Sequence, residues 1–307
     1  MVHGWAVPRQ VLQVSALVTL VLLVAFVVAL RLGGVPAAIG VGMGFVALTR
    51  PTLSLPPTRA AAFAVPAAMT GAVAVALRGQ PLASAFFVAL VCLTVAPAGE
   101  LHEALMVGLA TAVAMLSSAP GTFDPLTTAA WMLVGGLTLL GLALALKLPP
   151  AEAKPIPPPL VWRHAVVMAA SVGVVVYLVQ VLQIPHGYWM AATLTVVLRP
   201  VLGETTRAVR ERVIGTVAGA LLALVLADAL PRWAVVAALG ACTLLMIAYT
   251  TLGEQAKQVV FLTPTAILMA PAGSTSLFAG ERAAMTLAGA VIATGLALVL
   301  ARTDDGG

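Results

Sequence analysis

Runs of about 20 apolar residues recur from one end of this chain to the other with brief interruptions, and that is the length an α-helix needs to cross the hydrocarbon core of a bilayer. Val11 to Leu30 is apolar on almost every face, and Val217 to Leu226 contains no polar side chain. A transmembrane β-strand would instead alternate polar and apolar positions over a shorter segment, so the pattern selects helices. With 61% hydrophobic and 9% charged residues, too little polar surface exists to cover a water-soluble globule. The expected class is all-α, a polytopic membrane helix bundle.

Breakers between the apolar runs divide the chain into twelve candidate spans, beginning near Val11, Val35, Arg59, Leu82, Leu101, Leu126, Val161, Gly187, Arg207, Arg232, Gln255 and Arg282. Between the sixth and seventh lies LPPAEAKPIPPPL, in which six of thirteen residues are proline, a composition that makes a stiff extended connector. The expected organisation is a first six-helix repeat over residues 1–147, a cytoplasmic linker over 148–160 and a second six-helix repeat over 161–307. The halves pair at an offset drifting from about 148 to about 154: Pro36 with Pro185, Arg50-Pro51 with Arg199-Pro200, Arg59 with Arg207, Gly71 with Gly219, Pro81 with Pro231, Cys92 with Cys242, Glu103 with Glu254 and Pro120 with Pro271. With the N-terminus inside, twelve of the 16 Lys and Arg residues fall on cytoplasmic loops, and only Arg31, Arg78, Arg232 and Arg282 fall outside. That is the asymmetry of the positive-inside rule, and it puts both termini in the cytoplasm with the two repeats parallel.

Several function classes drop out. The first apolar run is too long for a signal peptide and no A-x-A pattern follows it. Cys92 and Cys242 lie inside apolar segments and read as small buried hydrophobes. His3, His102, His164 and His186 sit on separate loops without metal-ligand spacing, and there is no Walker-type phosphate loop. No catalytic constellation, metal site or cofactor site emerges, and the net charge of +5 comes with no basic and aromatic stripe for nucleic acid. The expected reading is not an enzyme.

The residues with chemical potential cluster around GYWMAATLTVVLRPVLGETTRAVRERVIGTVAGA, from Gly187 to Ala220. Arg199, Arg207, Arg210 and Arg212 crowd the inner end of the eighth and ninth spans, joined across the pseudo-axis by Arg50 and Arg59. Such a cluster can concentrate anions and grip a carboxylate by a bidentate fork. Ordinary positive-inside charge also accounts for its outer members, and Glu211 can pair with Arg207 one helical turn away. Arg199 stands apart because it adjoins Pro200, the helix-ending counterpart of Pro51, at the end of a short span. Short spans at corresponding positions, here 35–49 and 186–198, point to a transport site or to tight packing through small residues. Tyr188 and Trp189 fit either an aromatic substrate or an interfacial belt. Gly215 and Gly219 make a GxxxG contact on the ninth span. In the eleventh, Pro264 removes a mid-membrane hydrogen bond, leaving Thr263 and Thr265 to satisfy the freed groups or to face a polar path. Glu254 and Glu103 are candidates for proton coupling or are solvated loop residues.

The stretch YWMAATLTVVLRPVLGETTRAVRERVIGT resembles the fusaric acid resistance and aromatic acid exporter family. The resemblance is carried by the Tyr188-Trp189 start, the Arg199-Pro200 helix end, an imperfect T-x-x-R turn near Thr205 and the run Arg212 to Thr216. It departs in the first half, where Ile39-Gly40 replaces Tyr188-Trp189, and in having no large cytoplasmic domain between the halves. The resemblance implies export of small organic, often aromatic, carboxylates driven by the proton gradient. The resulting expectation is an exporter in the inner (plasma) membrane, with Arg199 and Arg50 holding the anion. A passive organic-anion channel and a non-transporting scaffold subunit are the alternatives. The expected partners are the organic anion and the bilayer; a second copy of the chain or an accessory subunit is left open.

Overall fold

The computed structural model describes residues 5–100, 105–119, 121–148, 155–268 and 275–304. Within them every regular element is a helix: α1 (Arg9–Ser54), α2 (Pro57–Ala76), α3 (Pro81–Thr94), the single turn α4 (Ala96–Gly99), α5 (Leu105–Ser118), α6 (Pro125–Ala145), α7 (Pro158–Val181), α8 (Tyr188–Val197), α9 (Leu202–Ala229), α10 (Arg232–Thr251), α11 (Gln255–Leu268) and α12 (Thr275–Asp304). Eight of the described helical stretches are long and apolar enough to cross a membrane, and α5 and α8 are shorter apolar helices. Large apolar side chains such as Leu82, Phe86, Leu126 and Trp233 point outward, which suits hydrocarbon rather than water as the surrounding solvent.

The 46 residues of α1 are two helices joined at Gly34, whose φ of 71° is a left-handed conformation open to glycine and costly elsewhere. The expected first and second spans are its two arms. The second arm differs from the short span expected over 35–49. It runs through Arg50 and Pro51 to Ser54 and so approaches a full crossing of about 30 Å at 1.5 Å per residue. Proline removes one N–H from the ladder but its fixed φ is helical, so Pro51 costs the arm one bond without ending it. In the second half, α8 does stop at Val197, and Leu198 turns to extended backbone before Arg199-Pro200. The proline-rich connector also closes earlier than expected: Pro158 already starts α7 behind an extended Pro157, since proline suits a helix's first turn. Just before it, buried Ile156 donates its N–H to the Gly99 carbonyl at 3.3 Å.

Packing interlocks the two parts of the chain. The second arm of α1 lies against α6, α2 against α6 and α5, and α3 against α7. Further along, α9 lies against α11 and α12, α8 against α12 and α5, and α10 against α11 and α1. Small residues set these distances. A Cβ on Gly44 would land on the Met132 carbonyl, one on Gly135 on the Val41 carbonyl, and one on Gly173 would sit 3.1 Å from the Ala85 carbonyl. In membranes, where lipid is as apolar as the protein interior, such close backbone approach is what holds helices together. Cys92 and Cys242 are buried free thiols.

Candidate functional site

On α9, Arg212, Gly215, Thr216 and Gly219 follow one another at three- and four-residue steps and therefore share one face. That face meets α11: a Cβ on Gly215 would lie 2.8 Å from the Ala256 carbonyl, and one on Gly219 would lie 2.5 Å from the Val260 carbonyl and 2.7 Å from the Thr263 Cβ. The close approach turns Arg212 and Thr216 into the protein. A matching contact joins α12 to α8, where a Cβ on Gly289 would lie 2.8 Å from the Met190 carbonyl and 3.1 Å from the Thr193 Cβ. Two turns before Gly289 on α12 is Arg282, whose guanidinium carbon lies 3.6 Å from the centroid of the Trp189 ring.

Four helices thus enclose a polar seam. Arg282 is 1% exposed and Arg212 5%, and the helices that carry them, α12 and α9, pack against each other. Neither has an acidic partner among the described residues. Arg282 Nε and Nη1, Arg212 Nε, Trp189 Nε1 and the hydroxyls of Thr193, Thr216 and Thr263 are all buried there without a hydrogen-bond partner among the described residues. An arginine at mid-helix in a bilayer costs about 2.5–3.5 kcal/mol even by insertion scales. The Trp189 face offsets up to about 2 kcal/mol for Arg282, and among the described residues no aromatic contact does the same for Arg212. Two buried positive charges therefore lie among these helices without an acidic partner among the described residues, a balance that an anion would restore.

At the α7–α8 turn beside it, His186 adopts a φ of 53°, and its Nδ1 lies 2.6 Å from Glu281 Oε2. The His186 ring stands edge-on to Phe278 at 4.6 Å and to Tyr188 at 5.9 Å. Tyr188 and Trp189 tilt against each other at 5.1 Å. A turn near the other end of α8 is fixed by Thr205, whose hydroxyl accepts from the Arg199 N–H at 2.9 Å and donates to the Arg199 carbonyl at 3.1 Å. That hydroxyl folds Arg199 and the buried Pro200 onto the first turn of α9.

The residues singled out from the sequence separate accordingly. Trp189 and Thr263 line the seam, Tyr188 adjoins it, and Gly215, Gly219 and Pro264 form the α9–α11 contact. Arg199 is half-buried, with its charge facing buried His164. Arg50, Arg59 and Arg210 are exposed, as is Arg207, which pairs with Glu211 at 2.8 Å. The Thr265 hydroxyl donates to the Phe261 carbonyl on its own helix at 2.8 Å. Glu254 lies 3.6 Å from Lys257, whose ammonium sits 5.7 Å from the Trp5 ring and 5.5 Å from the Tyr249 ring. Glu103 lies outside the described residues.

Sequence placed Arg282 among the outer loop charges, and Arg212 both among the cytoplasmic loop charges and in the inner arginine cluster. The structure buries both, on two helices that pack against each other. The overlooked signal is the stripe: Arg212 shares a face with the GxxxG pair, so wherever those glycines pack, the arginine must be buried too.

Residues 172–295 match a family model described as fusaric acid resistance protein-like. No curated protein and no solved structure matches the chain. Every group of the seam lies within the matched stretch.

Proposed function

We propose that this chain, an integral membrane protein that belongs over residues 172–295 to the fusaric acid resistance protein-like family, carries small organic anions outward across the inner membrane. Arg282 and Arg212 hold the anion in transit. The single observation that carries this reading is two buried guanidinium groups in apolar helices with no acidic partner among the described residues. A structural role would be served better by a well-packed apolar residue, because an unpaired buried charge destabilises. Arg199, held at the inner end of α8 by Thr205, serves as an approach station on the cytoplasmic side. In this reading both termini face the cytoplasm and the halves descend from a duplication. Two contacts support that descent: Gly135 meets the Val41 carbonyl on α1, and Gly289 meets the Met190 carbonyl on α8, pairs whose sequence offsets lie within the range read between the halves.

The test is outward flux of carboxylates from proteoliposomes with and without a proton gradient. Arg212→Gln and Arg282→Gln should each lower flux at least about thirtyfold, the rate equivalent of losing about 2 kcal/mol from a buried charge contact. The exposed Arg210→Gln should stay within about twofold of wild type. Unchanged flux in both seam variants removes them from the mechanism, and flux that ignores the proton gradient makes the chain a passive channel.

A further inference from the structure

The turn that joins α7 to α8 is strained and tethered. Gln183 and His186 have φ of 49° and 53°, a left-handed conformation that is costly for residues bearing a Cβ. Neighbours fix the turn on one side: the Ile184 N–H donates to the Val179 carbonyl at 3.0 Å, and a Cβ on Gly187 would lie 2.7 Å from the Val179 side chain. The other anchor is α12. Phe278, Glu281 and Arg282 are spaced three and four residues apart and share one face of that helix, and each meets the segment 186–189. Glu281 Oε2 lies 2.6 Å from His186 Nδ1, the Phe278 ring stands edge-on to the imidazole at 4.6 Å, and Arg282 covers Trp189.

One of these contacts, His186 with Glu281, turns on a proton. The two side chains are 28% and 24% exposed, open enough for water to deliver protons and sheltered enough for charge to count. Imidazole is the side chain whose charge changes between about pH 5 and 8. As an imidazolium it offers the carboxylate a hydrogen bond and an opposite charge together. A neutral ring keeps the contact only in the tautomer with hydrogen on Nδ1, and it loses the attraction between full charges. The packed elements bring few competing groups. Tyr188 of α8 has its ring 5.9 Å from the imidazole, and the second half of α7 carries Tyr177. Arg282 follows Glu281 on α12, and Asp228 of α9 lines a cleft with Thr275 and Ser276 at the start of α12. The described part of α5, which packs on α8, holds no titratable group.

We propose that His186 and Glu281 form a proton-operated clasp between the α7–α8 turn and α12: the imidazolium holds it shut, and loss of the proton to water lets the turn part from α12 and uncovers Trp189 and Arg282. The strain at His186 favours release, because the contact with Glu281 is part of what holds that residue in its left-handed conformation. For its place at the outer mouth the inference rests on the transport reading above, in which acid on the outer side closes that mouth.

The experiment is double electron–electron resonance on the full-length chain in lipid nanodiscs. Spin labels go on cysteines placed at Leu182 and Leu277, exposed positions on either side of the clasp, with the buried Cys92 and Cys242 replaced by alanine. On going from about pH 8.5 to about pH 5.5, the longer of two label distances should lose at least about threefold in population to the shorter. Glu281→Gln and His186→Gln should each make the distribution insensitive to pH. His186→Lys, charged at both pH values, should hold the short distance at both. His3, His102 and His164 stay in every variant and control for titration elsewhere. The pH response of the labelled parent chain decides the matter even where a glutamine variant does not fold.

The same distance distribution at both pH values overturns the inference, as does a long distance that grows in acid or a pH response that survives in either glutamine variant. The expected pH response in a chain that moves neither benzoate nor succinate across proteoliposomes overturns the transport reading and leaves the clasp standing. Flux of either anion through a chain whose label distance ignores pH overturns the clasp alone.

Discussion

Two helix quartets in this molecule are built from the same device and filled differently. The second arm of α1 with α2, α5 and α6 is drawn together by Gly44, Gly108 and Gly135. Its interior is occupied by Leu48, Met132, Leu116 and alanines such as Ala64. Most of its central polar groups are satisfied: Ser117 and Thr128 donate to carbonyls one turn back, and Thr111 meets Thr195 of α8 at 2.8 Å, while Thr52 and Ser54 at the end of the α1 arm keep buried hydroxyls without a partner among the described residues. The quartet of α8, α9, α11 and α12 uses Gly215, Gly219 and Gly289 in the same way, yet encloses two arginines and a set of unpartnered donors. Glycine contacts set the frame in both. What occupies the frame distinguishes the two quartets, because buried charges without a partner reduce stability while a packed apolar interior adds to it.

The sharpest way to break the comparison is to disturb the frame itself. Gly44→Ala should cost more than about 3 kcal/mol, since the new methyl would strike a backbone carbonyl that cannot move alone. The expected result is loss of monodisperse protein on size exclusion. Gly42→Ala, two residues away with nothing in reach, should leave the elution profile unchanged.

Next in size is the filling. Arg282→Met should raise thermal stability by up to about 4 kcal/mol, because it replaces an unpaired buried charge with an apolar side chain of similar length. The same change should abolish stabilisation by added anion. A lower melting temperature would instead make Arg282 a structural residue. Smaller again, Glu281→Gln should remove about 1 kcal/mol by weakening the 2.6 Å contact with His186. Faster hydrogen exchange at the α7–α8 turn would report it, and unchanged exchange there would show that the turn is held by other contacts.

The smallest effect belongs to the first quartet. Asp124 caps α6, accepting from the Thr127 N–H at 2.7 Å, and hydrogen bonding from Thr127 holds its carboxyl below the usual range. A depressed folded pKa gives stability that is present above the unfolded carboxyl pKa and lost as pH falls through the lowered one. Asp124→Ala should therefore lower the melting temperature slightly at neutral pH, and the gap should close in acid.

Much of the frame was legible in the sequence. The second span expected to begin near Val35 fell at the break in α1, the Arg199-Pro200 pair marked the end of α8, and the GxxxG pair marked the close face of α9. The length of α1's second arm was misread because proline was taken to end a helix that it only weakens. The site was less legible. Trp189 and Thr263 stood out by residue type and Arg212 only as a member of the inner arginine cluster, while Arg282 was absorbed into the loop-charge count because it lies about two turns from a helix end. Removing both from that count leaves the inside excess intact, so orientation gave no warning.

By itself the sequence determined that this chain is helical and belongs in a bilayer. Hydrocarbon requires each span to satisfy its own backbone, and only long apolar helices could do so with this composition. Which helices face one another was decided only in three dimensions. An arginine on α9 and one on α12, 70 residues apart in sequence, are both buried because Gly215 and Gly219 bring α9 onto α11 and Gly289 brings α12 onto α8. Helical periodicity gives the face a residue occupies; the identity of the opposing face comes from packing between distant segments, and that packing buried two charges that the sequence left at helix ends.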